Sequence, residues 1–246
     1  FTKPIIICSE KHKFLVLESL NKLKIQFLDI IVEKLSKNTA ASVLLGLIFG
    51  MKRIKAENSL ILPSDHFIPN RKYSLLIPKS VNFENKNIIF GIKPEFASTD
   101  YGYICPKEKE MEVSEVEAFY EKPNKKKAEN FISRGSYWNS GIFLLNNHNI
   151  LLDFKKLHPK MYRLCNQIIA NLENDLEFLE TNSKLMKQLP EISFDKAILE
   201  KTSHLFVKKF KQPWKDLGSW NTLSDISDKN VKFDPKVKII NNSSNS

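Results

Sequence analysis

Three short apolar runs near the start of the chain decide the fold: residues 4–8 (PIIIC), 27–32 (FLDIIV) and 59–62 (SLIL). Each has the length and the β-branched content of a buried strand. Between the first two, residues 10–24 place apolar side chains at helical spacing, and a second helix is expected over residues 39–57. Strands that alternate with helices predict a parallel sheet covered by helices.

This alternation describes the first hundred residues, and the middle of the chain departs from it. The remaining predicted strands are residues 87–92, 112–120, 136–145 and 204–210. The remaining predicted helices are residues 124–134, 147–189 with a break at Pro159, and 194–201. The segment 71–83, which Pro78 interrupts, is too irregular to assign. The predicted fold class is therefore α/β, with a mixed but mostly parallel sheet.

Composition excludes several classes of protein. The 246 residues are 42% hydrophobic and 27% charged, as in a folded globular chain, so disorder throughout is excluded. A net charge of +10 raises the hypothesis of a nucleic-acid-binding protein. Only four of the 38 basic residues are Arg, the side chain that reads guanine edges and grips phosphate, so this hypothesis is disfavoured. Residues 40–51, the longest apolar run, are too short to cross a membrane.

Several common sites are missing from the sequence. The seven glycines are never adjacent or one residue apart, which excludes the glycine-rich phosphate loops. There is no G-x-S-x-G nucleophile elbow, and no two histidines stand four residues apart as in a zinc-binding helix. The three cysteines have no metal-binding spacing. Free thiols are expected in a reducing compartment, and we predict a cytoplasmic protein.

Polar residues at predicted strand ends remain as candidates for a site. Asp65 follows the strand 59–62, and Asp216 follows the strand 204–210, so the two carboxylates together predict a Mg²⁺ site. Each could instead be an ordinary helix-cap or turn residue. Glu121 and Lys122 close another strand and could bind a sugar hydroxyl and a phosphate, or form a solvated turn. The amide of Asn139 suits sugar hydroxyls, or an internal cap.

Eight stretches, taken in order, carry a resemblance to a known family. They are KNTAAS (37–42), LPSDH (62–66), FGIKP (90–94), TDYGYI (99–104), FYEKP (119–123), YWNSGIFLL (137–145), SFDKAILEK (193–201) and WKDLGSW (214–220). In this order they resemble the mannose-1-phosphate guanylyltransferases, a branch of the sugar-nucleotide nucleotidyltransferases. The resemblance implies a Rossmann-like nucleotidyltransferase fold. It also implies the reaction of GTP with mannose 1-phosphate to give GDP-mannose and pyrophosphate.

The resemblance also assigns roles to individual residues. It implies that Asp65 and Asp216 hold Mg²⁺ and act in catalysis, and that Lys122 neutralises phosphate charge. The residues implied on the sugar side are Gly102, Glu121, Asn139 and Asp195. The residues implied on the side of the guanine nucleotide are Asn38, Thr39 and Pro63.

The chain departs from the family at its start. The family begins with a strand and a G-G-x-G-x-R-L-W-P loop that cradles the triphosphate, and neither occurs here. We therefore expect an N-terminally truncated catalytic domain over residues 1–227, with residues 228–246 as the start of a C-terminal β-helix region or a disordered tail. A separately encoded N-terminal segment and a homo-oligomer are the expected protein partners. The alternatives are an inactive remnant or one piece of a split enzyme, and the disfavoured nucleic-acid-binding protein.

Overall fold

A computed structural model describes residues 2–68 and 86–218. The predicted tail 228–246 and the segment around Pro78 lie outside these residues, and the predicted domain boundary stays a prediction. Of the described chain, residues 2–62 and 86–210 form one compact unit, and residues 63–68 with 211–218 form a second.

The first unit contains a four-stranded sheet in the order β1-β2-β10-β9. Strand β1 (Ile5–Ser9) pairs in parallel with β2 (Asp29–Glu33), as the apolar runs predict. Strand β10 (Phe178–Glu180) adds in parallel to β2, and β9 (Glu173–Asp175) runs antiparallel to β10. A single 3-10 turn and helix α1 (Lys13–Lys22) connect β1 to β2 and cover one face of this sheet.

A six-stranded sheet in the order β3-β8-β5-β11-β7-β6 completes the unit. Its strands are β3 (Asn58–Ile61), β5 (Asn87–Ile92), β6 (Tyr103–Pro106), β7 (Val113–Tyr120), β8 (Tyr137–Asn146) and β11 (Leu205–Phe210). Strands β7 and β8 run opposite to the other four. The predicted mixed and mostly parallel α/β arrangement is thus confirmed.

Asparagine caps begin four of the six α-helices in the described residues. The side chains of Asn38, Asn124, Asn146 and Asn182 each accept a hydrogen bond from a backbone N–H in the first turn of the helix that follows. These helices are α2 (Thr39–Ile54), α3 (Lys125–Ser133), α4 (Asn147–Leu157) and α6 (Ser183–Lys187). Helix α5 (Pro159–Ala170) begins instead at Pro159, which confirms the predicted break.

The prediction of helix throughout residues 147–189 is wrong between α5 and α6. Residues 173–180 form the hairpin of β9 and β10, which pairs with β2 far earlier in the chain. This pairing gives hydrogen-bond partners to the backbone at the edge of β2. It joins residues far apart in the sequence, so the local periodicity of residues 173–180 does not predict it. The predicted helix 194–201 is a single π-helical turn, Asp195–Leu199.

The main hydrophobic core of the first unit surrounds α2. Nine of its sixteen residues are buried, and they pack with Ile31 of β2 and with Ile89 and Phe143 of the six-stranded sheet. Ile5 and Ile7 of β1 and Ile61 of β3 pack against the same cluster. One helix thus joins the two sheets of this unit.

The second unit holds one small ladder in its described part. Strand β4 (His66–Phe67) pairs antiparallel with β12 (Lys215–Asp216), which places Asp216 opposite His66. None of the helices in the described chain combines the length and the apolar composition that crossing a bilayer requires.

Two glycines with different surroundings test the packing. A Cβ on Gly91 would lie 2.8 Å from both Tyr137 Cβ and Val207 Cγ2, whereas on Gly50, inside α2, its nearest neighbour would be 3.6 Å away. We expect Gly91→Ala to lower the free energy of unfolding by about 1–3 kcal/mol, because the crowded atoms cannot move aside. Gly50→Ala should raise it by up to about 1 kcal/mol. Urea denaturation measures both, and equal effects would contradict this packing.

Candidate active site

Asn139 is the centre of a polar cluster in the first unit. Its backbone N–H, near the start of β8, donates to the Gly102 carbonyl at 2.8 Å. The side-chain amide donates to Asp195 Oδ1 at 2.7 Å, and its oxygen accepts from the Gly141 N–H at 3.0 Å. The amide is therefore held at both ends, with one N–H and one lone pair left for a ligand.

Glu121 approaches the same cluster through Gly102. A Cβ on Gly102 would lie 2.8 Å from Glu121 Oε2, 2.9 Å from Phe119 Cζ and 3.4 Å from Asn139 Cβ. Only glycine leaves room for the carboxylate and the ring at this point of the chain. The structure thus brings together the four residues assigned to the sugar side, Gly102, Glu121, Asn139 and Asp195.

Burial changes the charge of this cluster. It raises the pKa of Glu121 to about 7, and the nearby Asp195 carboxylate adds to the rise while Lys122 and Lys196 oppose it. Burial also raises the pKa of Asp195. A carboxyl group that is protonated part of the time near neutral pH can donate as well as accept a hydrogen bond, which suits a hydroxyl-rich ligand.

The turn after β7 places Lys122 near these carboxyls. Lys122 has φ +45°, in the left-handed region that non-glycine residues rarely adopt, and Pro123 follows it. The Glu121 N–H donates to Glu200 Oε1 at 3.3 Å, which ties the turn to the chain just after the π-helical turn. The side chain of Lys122 acts electrostatically on both Glu121 and Asp195.

The start of α2 is tied to the segment that carries Asp195. Asn38 caps the helix, since its side chain accepts from the Thr39 N–H at 2.8 Å. Thr39 Oγ1 accepts from the Phe194 N–H at 2.9 Å, one residue before Asp195. Asn38 and Thr39, predicted on the nucleotide side, thus lie next to the chain that holds the cluster. Pro63 lies in the second unit, between β3 and β4, and is half-buried.

Sequence reasoning missed Glu33, which ends β2. It is 7% exposed, and both of its carboxylate oxygens accept from Ser42 Oγ at 3.0 Å. Burial raises the pKa of Glu33 to about 7, which the Ser42 hydrogen bond opposes. The signal in the sequence is an acidic residue directly after an apolar strand.

The second unit brings Asp65 and Asp216 together, as their positions after strands predict. One ligand atom from each of them and one from His66 all lie within 4.8 Å of one another. The Leu217 N–H donates to the Asp65 carbonyl at 2.8 Å, which holds the two segments in register beside the β4–β12 ladder. Sequence reasoning set the histidines aside because of their spacing, so His66 is an addition to the predicted pair.

This group fits a divalent cation. A pair of carboxylates offers the hard oxygen ligands that Mg²⁺ prefers. A Cβ on Gly218 would lie 3.0 Å from Asp216 Oδ1 and 3.4 Å from Asp65 Oδ2, so glycine keeps the space beside both carboxylates open. Burial lowers the pKa of His66, although the charges of Asp65 and Asp216 oppose this. The imidazole is therefore neutral near pH 7.

Comparison with known proteins assigns the chain to a class. The sequence profile of the nucleotidyl transferase family matches residues 1–232. The mannose-1-phosphate guanylyltransferase of Salmonella muenchen is 34% identical over 245 residues, an alignment that covers 97% of this chain and 51% of the relative. The chain thus spans about half the length of the curated relatives it matches.

Solved structures resemble the chain as well. A mannose-6-phosphate isomerase from Helicobacter pylori is 30% identical with a TM-score of 0.77, covering 87% of this chain and 84% of that one. A mannose-1-phosphate geranyltransferase from Thermus thermophilus is 25% identical with a TM-score of 0.74, covering 92% of this chain and 64% of that one. Together with the matching profile, these likenesses confirm the predicted nucleotidyltransferase fold.

The raised pKa of Glu33 predicts a pH effect on stability. The folded chain holds a proton on this carboxyl up to about pH 7, whereas the unfolded chain releases it near 4.5. Stability is therefore lost as pH rises from 4.5 through 7, by an amount on the order of 3 kcal/mol for this group. Glu33→Gln cannot ionise and should remove that part of the loss.

Urea denaturation between pH 4.5 and 8 measures this difference, with Glu177→Gln, at an exposed position, as the matched control. The control should follow the wild-type curve. If the free energy of unfolding of Glu33→Gln changed with pH in parallel with that of the wild type, the result would contradict the burial of the Glu33 carboxyl.

Proposed function

The chain belongs to the nucleotidyl transferase family, and on that premise we propose that it transfers a guanylyl group from GTP to mannose 1-phosphate. The products are GDP-mannose, used in nucleotide-sugar biosynthesis, and pyrophosphate. The similarity to mannose-1-phosphate guanylyltransferases over most of this chain supports both substrates. The observation that carries the proposal is the Asn139 cluster, where polar groups converge at the residues assigned to the sugar.

The chemistry of this reaction suits the residues present. The attacking oxygen belongs to a sugar phosphate and is already ionised, so no general base is required. Catalysis then consists of positioning the two substrates and neutralising charge around the α-phosphate. In this proposal the hydroxyls of mannose bind to the Asn139 amide, Glu121 and Asp195. Gly102 has no side chain and so leaves room for the Glu121 carboxylate.

The positive charge that the phosphate groups need is assigned to Lys122 and to a metal ion. Lys122, at a turn where its φ is +45°, neutralises negative charge on a phosphate. Nucleotidyl transferases of this family generally use divalent metal ions, and we propose Mg²⁺, held by Asp65 and Asp216. The ion, when bound, supplies positive charge that stabilises the phosphates during transfer. Asn38, Thr39 and Pro63 are assigned to the guanine nucleotide.

The proposal includes a protein partner. In the described part of the chain, the outer edges of β1 and β3 carry no paired strand. Helix α2 lies against both strands, since Gly46 and Gly50 face Ile7 and Ile5 while Ile61 packs in the same core. A separately encoded N-terminal segment with one apolar strand fits this position. Co-purification with the product of the reading frame directly upstream tests it, and self-association of the chain stays a prediction.

We also propose a cytoplasmic location. Cys8, Cys105 and Cys165 are free thiols, and burial raises the pKa of Cys165 to about 12, so that thiol stays protonated. Free buried thiols are typical of a reducing compartment. Neither the inactive remnant nor the nucleic-acid-binding alternative is favoured by the named relatives.

The transfer reaction gives a direct test. Incubation of the chain with GTP, Mg²⁺ and mannose 1-phosphate should yield GDP-mannose and pyrophosphate, which chromatography separates. Asp216→Asn should lower the rate by about 100-fold or more, because it removes a charge that holds the ion. Glu110→Gln, at an exposed position, is the matched control and should act like wild type. Product with glucose 1-phosphate but none with mannose 1-phosphate would reject the assigned substrate.

Lys24 is a matched control for Lys122, because both are lysines with a positive φ. Lys122→Asn keeps a residue that tolerates the left-handed region while removing the charge, and Lys24 has φ +53° at an exposed turn. We expect Lys122→Asn to lower the transfer rate by about 10- to 100-fold, as for the loss of one charge-assisted contact, without changing the urea midpoint. Lys24→Asn should leave the rate unchanged. Equal transfer rates for the two variants would contradict the role of Lys122 in neutralising phosphate charge.

A further inference from the structure

His66 lies close enough to Asp65 and Asp216 to be taken for a third metal ligand. One ligand atom of each side chain falls within the common 4.8 Å. A site of two carboxylates and one imidazole would favour transition metals such as Zn²⁺ over Mg²⁺. The role of His66 therefore decides which class of cation the aspartate pair selects.

Trp214 determines which ring nitrogen of His66 carries the proton. The indole Nε1–H donates to His66 Nδ1 at 3.2 Å, and the two rings meet edge to face with centroids 5.2 Å apart. An indole N–H can only donate, so Nδ1 must hold the lone pair. A neutral imidazole has one lone pair and one N–H, which places the hydrogen on Nε2.

We propose that Trp214 fixes His66 in the Nε2–H tautomer, so that the imidazole serves the aspartate pair as a hydrogen-bond donor and not as a metal ligand. This inference rests on the metal role assigned to Asp65 and Asp216 above. Nε2 lies 4.0 Å from Asp65 Oδ1, a separation short enough for a single water molecule to link the two groups. Coordination through Nε2 would require moving its proton to Nδ1 and breaking the bond from Trp214.

The pairing of β4 with β12 places His66 close to Trp214 and Asp216. Trp214 and Asp216 stand two residues apart, so in an extended chain they project to the same side. Asp216 pairs with His66 across the β4–β12 ladder, which places the ring beside both of them. The His66 side chain is 10% exposed, so its contacts restrict the rotation of the ring. Trp214 is thus a positioning residue that leaves the site with oxygen ligands only.

The tautomer can be measured in the full chain without any ion. In a ¹⁵N-labelled sample, long-range ¹H–¹⁵N correlation distinguishes a protonated from an unprotonated ring nitrogen, and His66→Gln identifies the signal among the five histidines. We expect wild-type His66 to show Nε2–H and an unprotonated Nδ1. Trp214→Phe keeps the ring contact but removes the donor, and should give a mixture of tautomers. A wild-type ring protonated on Nδ1 would overturn the proposal, whether or not the variant folds.

Metal binding supplies the second readout. Calorimetric titration should show that Trp214→Phe binds Zn²⁺ about 10-fold more tightly than wild type, since Nε2 becomes free to coordinate, with less than about a twofold change for Mg²⁺. Trp138→Phe is the matched control, because the buried Trp138 indole has no hydrogen-bond partner among the described residues. The double variant His66→Gln, Trp214→Phe should lose the gain in Zn²⁺ affinity.

The outcomes separate this inference from the proposed function. Unchanged Zn²⁺ affinity in Trp214→Phe, or a His66 ¹⁵N signal that reports coordination when Zn²⁺ is added to wild type, overturns the role given to Trp214. A wild-type chain that shows the Nε2–H tautomer but binds no Mg²⁺ supports the tautomer assignment and overturns the metal role of the aspartate pair.

Discussion

The burial of α2 between two sheets is the constraint on which the first unit depends. The helix has apolar residues on nearly every side, so it is stable only when strands cover more than one of its faces. Near its start, Ser42 Oγ donates to Glu33 at the end of β2. The bond from the Phe194 N–H to Thr39 Oγ1 joins the start of this helix to the chain that presents Asp195.

The polar clusters show how burial changes acidic groups in different ways. Glu33 and Glu121 lose much of their hydration and hold protons more tightly than they would in water. Glu180, by contrast, forms ion pairs with Lys13 and Lys34, which lower its pKa. The candidate sugar site therefore differs from the Lys13–Glu180 ion pair, because within residues 2–68 and 86–218 no cation bonds directly to its carboxyls. Such a site favours neutral hydroxyl ligands over additional anions.

The sequence predicts the elements that depend on local pattern and misses those that depend on distant partners. The apolar runs at Ile5–Ser9 and Asp29–Glu33 and the helix break at Pro159 follow from composition and spacing. The β9–β10 hairpin does not, because its stability comes from β2. The same holds for the site. Asp65 and Asp216 were predicted from their positions after strands, but the bond from Trp214 to His66 joins residues 148 positions apart and leaves no local signal.

Strand β1 has a consequence for the handling of the protein. All five of its residues are only half-buried although its first three are isoleucines, whereas four of the five residues of neighbouring β2 are buried. An apolar strand with an exposed edge is a template for pairing with another copy of itself. Charged residues that discourage such pairing stand only at its ends, at Lys3 and Glu10. Solubility at high concentration therefore depends on what occupies the edge of this single strand.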